Sequence, residues 1–341
     1  MDTHLEIKEG VLLKCTDGLK HVEVPEGVTA IATMAFAECW SLESVSIPAT
    51  VKTIGSCVFG WCPSLVSITV STDNPVYDSR GNCNAVIETF TNTLVAGCSA
   101  TLIPEGVAVI AEDALCACTG MKSIHIPQSV VEIEFEAIRC PALESITVHP
   151  ANPVYDSRGG CNAIIETATN ELLVGCAATI IPDSVTELGA LSFAQVDTMK
   201  SISIPDSVKK INSGAFCDCS ALESVVIPEG VTEISEDCFS SCTSLKEVTL
   251  PDSLTKIDFL SFCHCESLES ISIPEGVTEI GQEAFVCCKS LKSIVIPASV
   301  KSIGNYAFYK CTSLETLTLL GDPMIGLGVF DGCGAKVARG K

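Results

Sequence analysis

The sequence predicts an α/β solenoid of the leucine-rich type: a right-handed, curved stack of short rungs. A parallel β-sheet would line its concave face, with short helical or hairpin segments on the convex face. Three observations carry this. Pro182, Pro205, Pro228, Pro251, Pro274 and Pro297 recur every 23 residues, and a fixed period of roughly 20–29 residues marks such arrays. Each proline opens the same pattern, as in Pro205-x-x-Val208-x-x-Ile211-x-x-x-Ala215-Phe216-x-x-Cys219-x-x-Leu222-x-x-Val225-x-Ile227. Within it, Leu222-x-x-Val225-x-Ile227 alternates apolar and small polar residues, the period of a strand with one buried face.

Taken in order, residues 1–24 read as an N-terminal cap, with Gly10–Lys14 and His21–Val24 as the arms of a hairpin. Residues 25–319 read as twelve rungs. Ten ordinary rungs open at Pro25, Pro48, Pro104, Pro127, Pro182, Pro205, Pro228, Pro251, Pro274 and Pro297. In these, proline ends the strand because it has no N–H for a ladder. The stretch that follows, such as Gly281–Cys288, has the look of one or two helical turns. Two longer rungs of about 33 residues cover 71–103 and 149–181. They are near copies: Asn74-Pro75-Val76-Tyr77-Asp78-Ser79-Arg80 recurs as Asn152-Pro153-Val154-Tyr155-Asp156-Ser157-Arg158, 78 residues later. Both lack the Ala-Phe segment. Apolar runs Ala85–Thr89 and Leu94–Ala96 around a polar turn at Asn92 predict a hairpin there. Residues 320–341 restate half a rung at Val329-Phe330-Asp331-Gly332-Cys333 and predict a thin C-terminal cap, frayed over 334–341.

Composition narrows the function classes. Hydrophobic residues make up 47% of the chain, enough for a continuous core, and aromatics only 5%. The net charge is −22, from 42 acidic and 20 basic residues, which repels phosphate backbones and excludes general nucleic-acid binding. The first ten residues carry no apolar leader segment, and no stretch has the length of a membrane span. The expected location is therefore the cell surface or medium if a leader was removed, and otherwise the cytoplasm. The chain reads as a monomer.

The unit resembles the BspA-like class of bacterial leucine-rich repeats. The match rests on Ile-Pro-x-x-Val-x-x-Ile-Gly-x-x-Ala-Phe-x-x-Cys-x-x-Leu, with Gly55, Gly281 and Gly304 in place in the rungs of Pro48, Pro274 and Pro297. The resemblance implies a solenoid without catalytic residues. It also implies a surface or secreted bacterial protein that adheres to host or neighbouring-cell proteins.

Cysteine is abundant at 21 residues. Cys39, Cys62, Cys118, Cys219, Cys242, Cys265, Cys288 and Cys311 share one slot and read as a structural ladder of small buried side chains. The pairs Cys116-x-Cys118, Cys217-x-Cys219 and Cys263-His264-Cys265 have one intervening residue, short of zinc-knuckle spacing, so no metal is expected. The histidines His4, His21, His125, His149 and His264 show no catalytic spacing, and no phosphate loop is present. No cofactor and no enzymatic activity are expected.

The best binding surface is the exposed side of the sheet. Its two columns include Ser123, Ser145, Ser201, Ser224, Glu247 and Ser270, and alongside them His125, Thr147, Ser203, Val226, Thr249 and Ser272. Binding hot spots favour Trp, Tyr and Arg, which these columns lack, so weak multivalent contact with a protein partner fits better. Trp40 and Trp61 flank the Cys slot in adjacent rungs and read as packing residues. The leading reading is a bacterial adhesion or protein-binding module. The alternative is an intracellular scaffold with reduced core cysteines, since free thiols suit a reducing compartment.

Overall fold

A computed structural model of the chain describes residues 4–334 and 336–339. It forms two compact units, Met1–Asp156 and Ser157–Lys341. Both are built from stacked rungs with two rows of short parallel strands and a row of turns.

In the second unit the strands before each proline form one row, Ser201–Ile202, Ser224–Val226, Glu247–Thr249 and Ser270–Ile271, paired in parallel. Ser293–Ile296 and Thr316–Leu319 continue the pattern. Lys336–Arg339 adds to Thr316–Leu319 in parallel. Of the C-terminal stretch expected to fray, Ala335, Gly340 and Lys341 lie outside the described residues. The proline begins a tight turn whose carbonyl accepts the N–H of the valine three residues on, as in Val208 to Pro205 at 3.0 Å and Val277 to Pro274 at 3.1 Å. This accounts for the Pro-x-x-Val spacing. A second strand follows, only two residues long: Glu233–Ile234, Lys256–Ile257, Glu279–Ile280 and Ser302–Ile303 stack in parallel register.

The convex segments are turns, not helices, so the α/β label and the helical convex face are corrected. Among the described residues the helical elements are two three-residue 3₁₀ turns, Arg80–Asn82 and Arg158–Gly160. The reason is hydrogen-bond allocation. The N–H groups of Glu283, Phe285 and Cys287 donate to the carbonyls of Asn305, Ala307 and Tyr309 in the next rung, at 2.8–2.9 Å. Val286 and Cys288 close tight i to i−3 turns onto Glu283 and Phe285. No N–H of these five is left for an i to i−4 bond. Glu283 and Cys287 take left-handed φ of 56° and 58°, which breaks a right-handed helix twice within five residues. The same arrangement recurs at Asp237 and Ser241 and at Leu260 and His264.

These turns deliver one phenylalanine per rung to the core. Phe193, Phe216, Phe239, Phe262, Phe285 and Phe308 are fully buried. They stack face to face with centroids 5.2–5.3 Å apart at both ends of the column. The consensus glycine serves close approach between rungs. At Gly304 an added Cβ would lie 2.3 Å from the backbone nitrogen of Gln282.

In the first unit, Leu5–Lys8 and Val11–Cys15 form the opening hairpin. Glu9 and Gly10 at its tip both have positive φ, as a two-residue hairpin turn requires. The expected second arm, His21–Glu23, instead starts the parallel row with Ser44–Ile47 and Ser67–Val70. The long rung 71–103 carries a hairpin of Ala85–Glu88 against Thr93–Gly97. Thr93–Gly97 then pairs in parallel with Val109–Ile110 of the next rung. The second unit holds the equivalent hairpin, Ile164–Glu166 against Glu171–Val174.

The duplicated Asn-Pro-Val-Tyr motif is a bracket that fixes the long rung to its predecessor. Asn74 Nδ2 donates to the carbonyls of Pro48 and Val51 at 2.9 and 3.0 Å. Its Oδ1 accepts from the N–H groups of Val76 and Tyr77. Asn152 repeats this with Pro127 and Val130, both at 2.8 Å. Arg80 clasps Asp78 with Nε and Nη2 along one edge of its guanidinium and donates from Nη1 to Asn92 Oδ1 at 2.9 Å.

Candidate binding face

Strand alternation places every second side chain in the core. Val225, Val248 and Ile271 are buried, while Ser224, Val226, Glu247, Thr249, Ser270 and Ser272 beside them are exposed, as are Ser201 and Ser203. In the second unit Ser201, Ser224, Glu247 and Ser270 are register partners on adjacent strands, as are Val226 and Thr249. They form two straight columns. In the first unit Ser123, His125, Ser145 and Thr147 are exposed, and the pairs Ser123–Ser145 and His125–Thr147 lie in register.

The surface is small and polar with scattered apolar points. Val226 and Val295 are 62% and 50% exposed. His125 Nδ1 lies 2.9 Å from Thr147 Oγ1, and its ring meets His149 edge to face at 6.3 Å. Shallow grooves run where the strands meet the proline turns. One is lined by Ser270, Ser272, Glu275 and Val295, its neighbour by Glu247, Thr249, Asp252 and Ser272. Another in the first unit is lined by Glu23, Glu26, Ser46 and Thr69.

One border of this face escaped the sequence reading. Lys200, Glu223, Lys246, Glu269, Lys292 and Glu315 recur at the 23-residue period with alternating sign. Lys246 Nζ pairs with Glu223 at 2.9 Å and Lys292 Nζ with Glu269 at 2.8 Å. The hydrogen bond from Lys246 holds the Glu223 carboxyl below its usual pKa, and that from Lys292 does the same for Glu269. Lys292 is raised in turn by Glu269. Such exposed pairs add little stability, but they set a repeating charge pattern along the strands. The signal was readable in the alignment of rungs, one position before each residue of the first exposed column.

The cysteine ladder does more than fill space. The eight slot cysteines are free thiols, and all eight are buried. In the second unit the thiols of Cys219, Cys242, Cys265, Cys288 and Cys311 donate to the carbonyls of Phe193, Phe216, Phe239, Phe262 and Phe285, at 3.1–3.2 Å. Each S–H therefore ties its rung to the preceding one. In the first unit Cys62 donates to Phe36 at 3.0 Å, Cys39 to Cys15 at 3.6 Å and Cys118 to Gly97 at 3.9 Å. Burial pushes Cys242 and Cys265 well above the ordinary thiol value. Cys62 is pushed up to about 12. Inert, protonated thiols are the result. Trp40 is 55% exposed, whereas Trp61 packs against Cys57, Cys116 and Ala117.

The repeat is also recognised by comparison. The model of the BspA type leucine-rich repeat region matches residues 2–93, 87–156, 175–262 and 238–337. The chain belongs to this BspA-type family. Among solved structures, a leucine-rich repeat protein from Eubacterium ventriosum is 23% identical, with a TM-score of 0.66 over 95% of this chain and 91% of its own. The pneumococcal vaccine antigen PcpA is 17% identical, with a TM-score of 0.52 over 89% of this chain and 68% of its own. At these identities the likeness is one of fold. No curated protein matches the sequence. Among the described residues, no helix is long and apolar enough to cross a membrane. In the second unit the BspA-type rungs thus present a regular exposed strand face, bordered on one side by alternating lysine and glutamate.

Proposed function

We propose that this chain is a non-catalytic protein-binding module of a bacterial surface or secreted protein, contacting host or neighbouring-cell proteins through its exposed strand face. The observation that carries the reading is the face itself. All twelve of its assigned positions, from Ser123 to Ser272, are exposed, on strands or directly after them, and the residues between them are buried or half-buried. A rigid backbone thus holds small hydrogen-bonding side chains in columns at fixed spacing. Each contributes little, and repetition supplies avidity. Family membership supports the surface location, since BspA-type proteins are often found there.

A second reading, an intracellular scaffold, is favoured by the abundance of cysteine, 21 residues, most of them buried as core side chains, because reducing compartments suit thiol-rich chains. Protease treatment of intact source cells, followed by immunoblotting for this chain, separates the two. Loss of the band from intact cells supports the surface module. Persistence of the band until lysis supports the scaffold.

A further inference from the structure

One cluster in the first unit is unlike the cysteine ladder. The long rung 71–103 has no convex turn, so the turns on either side of it meet directly: the N–H of Trp61 donates to the carbonyl of Ala117 at 3.2 Å. This brings together two cysteines far apart in sequence. The Sγ atoms of Cys57 and Cys116 and a carboxylate oxygen of Asp113 all lie within 4.8 Å of one another. Gly60 makes the approach possible, since a Cβ there would sit 2.7 Å from Cys57 Sγ.

Arg139 completes the cluster. Leu115–Cys116 and Ile138–Arg139 are parallel partners in register, which sets Arg139 Nη2 3.2 Å from Cys116 Sγ. Its Nη1 pairs with Glu136 at 2.6 Å, and its buried Nε has no partner. A guanidinium facing the sulfur opposes a metal cation at this place and favours a thiolate. The two sulfurs differ accordingly. The hydrogen bond to Cys116, then burial, pushes Cys57 up. The hydrogen bond from Cys57 and the charge of Arg139 lower Cys116 against burial and the opposing Asp113. Of the two, Cys116 is the sulfur that ionises more readily and Cys57 the one that keeps its proton. Both sulfurs lie just beneath partly exposed Trp61, Asp113 and Arg139.

We propose that Cys57 and Cys116 form a peroxide-oxidisable dithiol, a redox-controlled staple joining the turns that flank the long rung, with Arg139 as the cation beside the attacking sulfur. In the first step the Cys116 thiolate attacks one oxygen of hydrogen peroxide. The O–O bond breaks, hydroxide leaves, and Cys116 becomes a sulfenic acid. In the second step the Cys57 sulfur attacks the Cys116 sulfur. The S–O bond breaks, the oxygen leaves as water with the Cys57 proton, and the disulfide forms. The dithiol loses two electrons and the peroxide is reduced to water.

The test uses the full reduced chain treated with less than one equivalent of hydrogen peroxide, quenched with N-ethylmaleimide and mapped by peptide mass spectrometry. The expected first product is a Cys57–Cys116 disulfide. Cys57→Ser should instead accumulate a dimedone-reactive sulfenic acid at Cys116. Arg139→Met should slow oxidation of Cys116 by about tenfold or more at neutral pH. First oxidation at any other cysteine would overturn the proposal. So would retention of one zinc equivalent through dialysis by the wild type but not by Cys116→Ser, since that would assign a metal centre. The wild-type peptide map stands alone if a variant fails to fold.

Discussion

Phe239 offers the sharpest probe of how rungs hold together. Its ring is fully buried and lies between Phe216 and Phe262, with centroids 5.2 and 5.4 Å away and planes 4° and 6° from parallel. Phe239→Ala removes a core ring and leaves a void that stacked rungs cannot easily close, a loss of about 3–5 kcal/mol. Within that, each stacked pair accounts for about 0.5–1.5 kcal/mol. Phe36 touches one ring, Phe59, at 5.3 Å and 35°. Phe36→Ala should therefore cost less, by about one such pair. The double variant Phe239→Ala/Phe262→Ala should cost less than the sum of the singles, by the coupling of about 0.5–1.5 kcal/mol. Urea unfolding followed by far-UV circular dichroism gives the midpoint and slope, and an unchanged slope licenses the comparison. A loss below about 1 kcal/mol for Phe239→Ala, or strict additivity in the cycle, would refute the stacked column as the element joining rungs.

Other consequences are equally open to measurement. Gly304→Ala should cost about 1–3 kcal/mol by overpacking, because its Cβ would press on the Gln282 nitrogen; an unchanged urea midpoint would contradict this. Cys265→Ala should cost about 1 kcal/mol, from the lost S–H donor to Phe239 and a small void; full retention of stability would show the slot to be mere filler. The raised thiols also set a pH dependence. Folded Cys242 and Cys265 stay protonated where the unfolded chain ionises, above the usual 9.0, so stability is complete below that pH and falls above it. Each such thiol removes about 1.4 kcal/mol per pH unit, and a urea midpoint that is flat between about pH 8 and about pH 11 would sink the assignment. Glu269→Lys would place three lysines in a row, Lys246 and Lys292 beside it. It should lower the midpoint more in low salt than in molar salt, and equal losses in both would argue against an electrostatic border.

Much of this was legible in the sequence because a repeat averages out local ambiguity. The proline period, the Phe and Cys slots, and the alternation that buries Val225 and exposes Val226 were all set by residue type. So was the hairpin of the long rung, from its two apolar runs around Asn92. The convex turns were not legible. Gly281–Cys288 looks helical from local composition, and what prevents a helix is tertiary: acceptors at Asn305, Ala307 and Tyr309 lie 22 residues further on. The second strand row was missed because two residues such as Glu233–Ile234 are too short to show a period. The meeting of Cys57 with Cys116 depends on a whole rung lacking its turn, a relation no local spacing reveals. The alternating Lys–Glu border was present in plain view, but only to a reading that aligns rung on rung.

The exposed strand face is the binding surface proposed here, and site-specific photocrosslinking tests it most directly. A benzophenone side chain would replace Thr249 on the face or Glu236 on a convex turn, both of which are exposed. Each labelled chain would then be irradiated with the surface proteins of the source organism's neighbours or host, with and without excess unlabelled chain. A discrete adduct at Thr249, competed away by unlabelled chain and missing at Glu236, is the predicted result. An adduct confined to Glu236, or equal and uncompeted labelling at both positions, would contradict it.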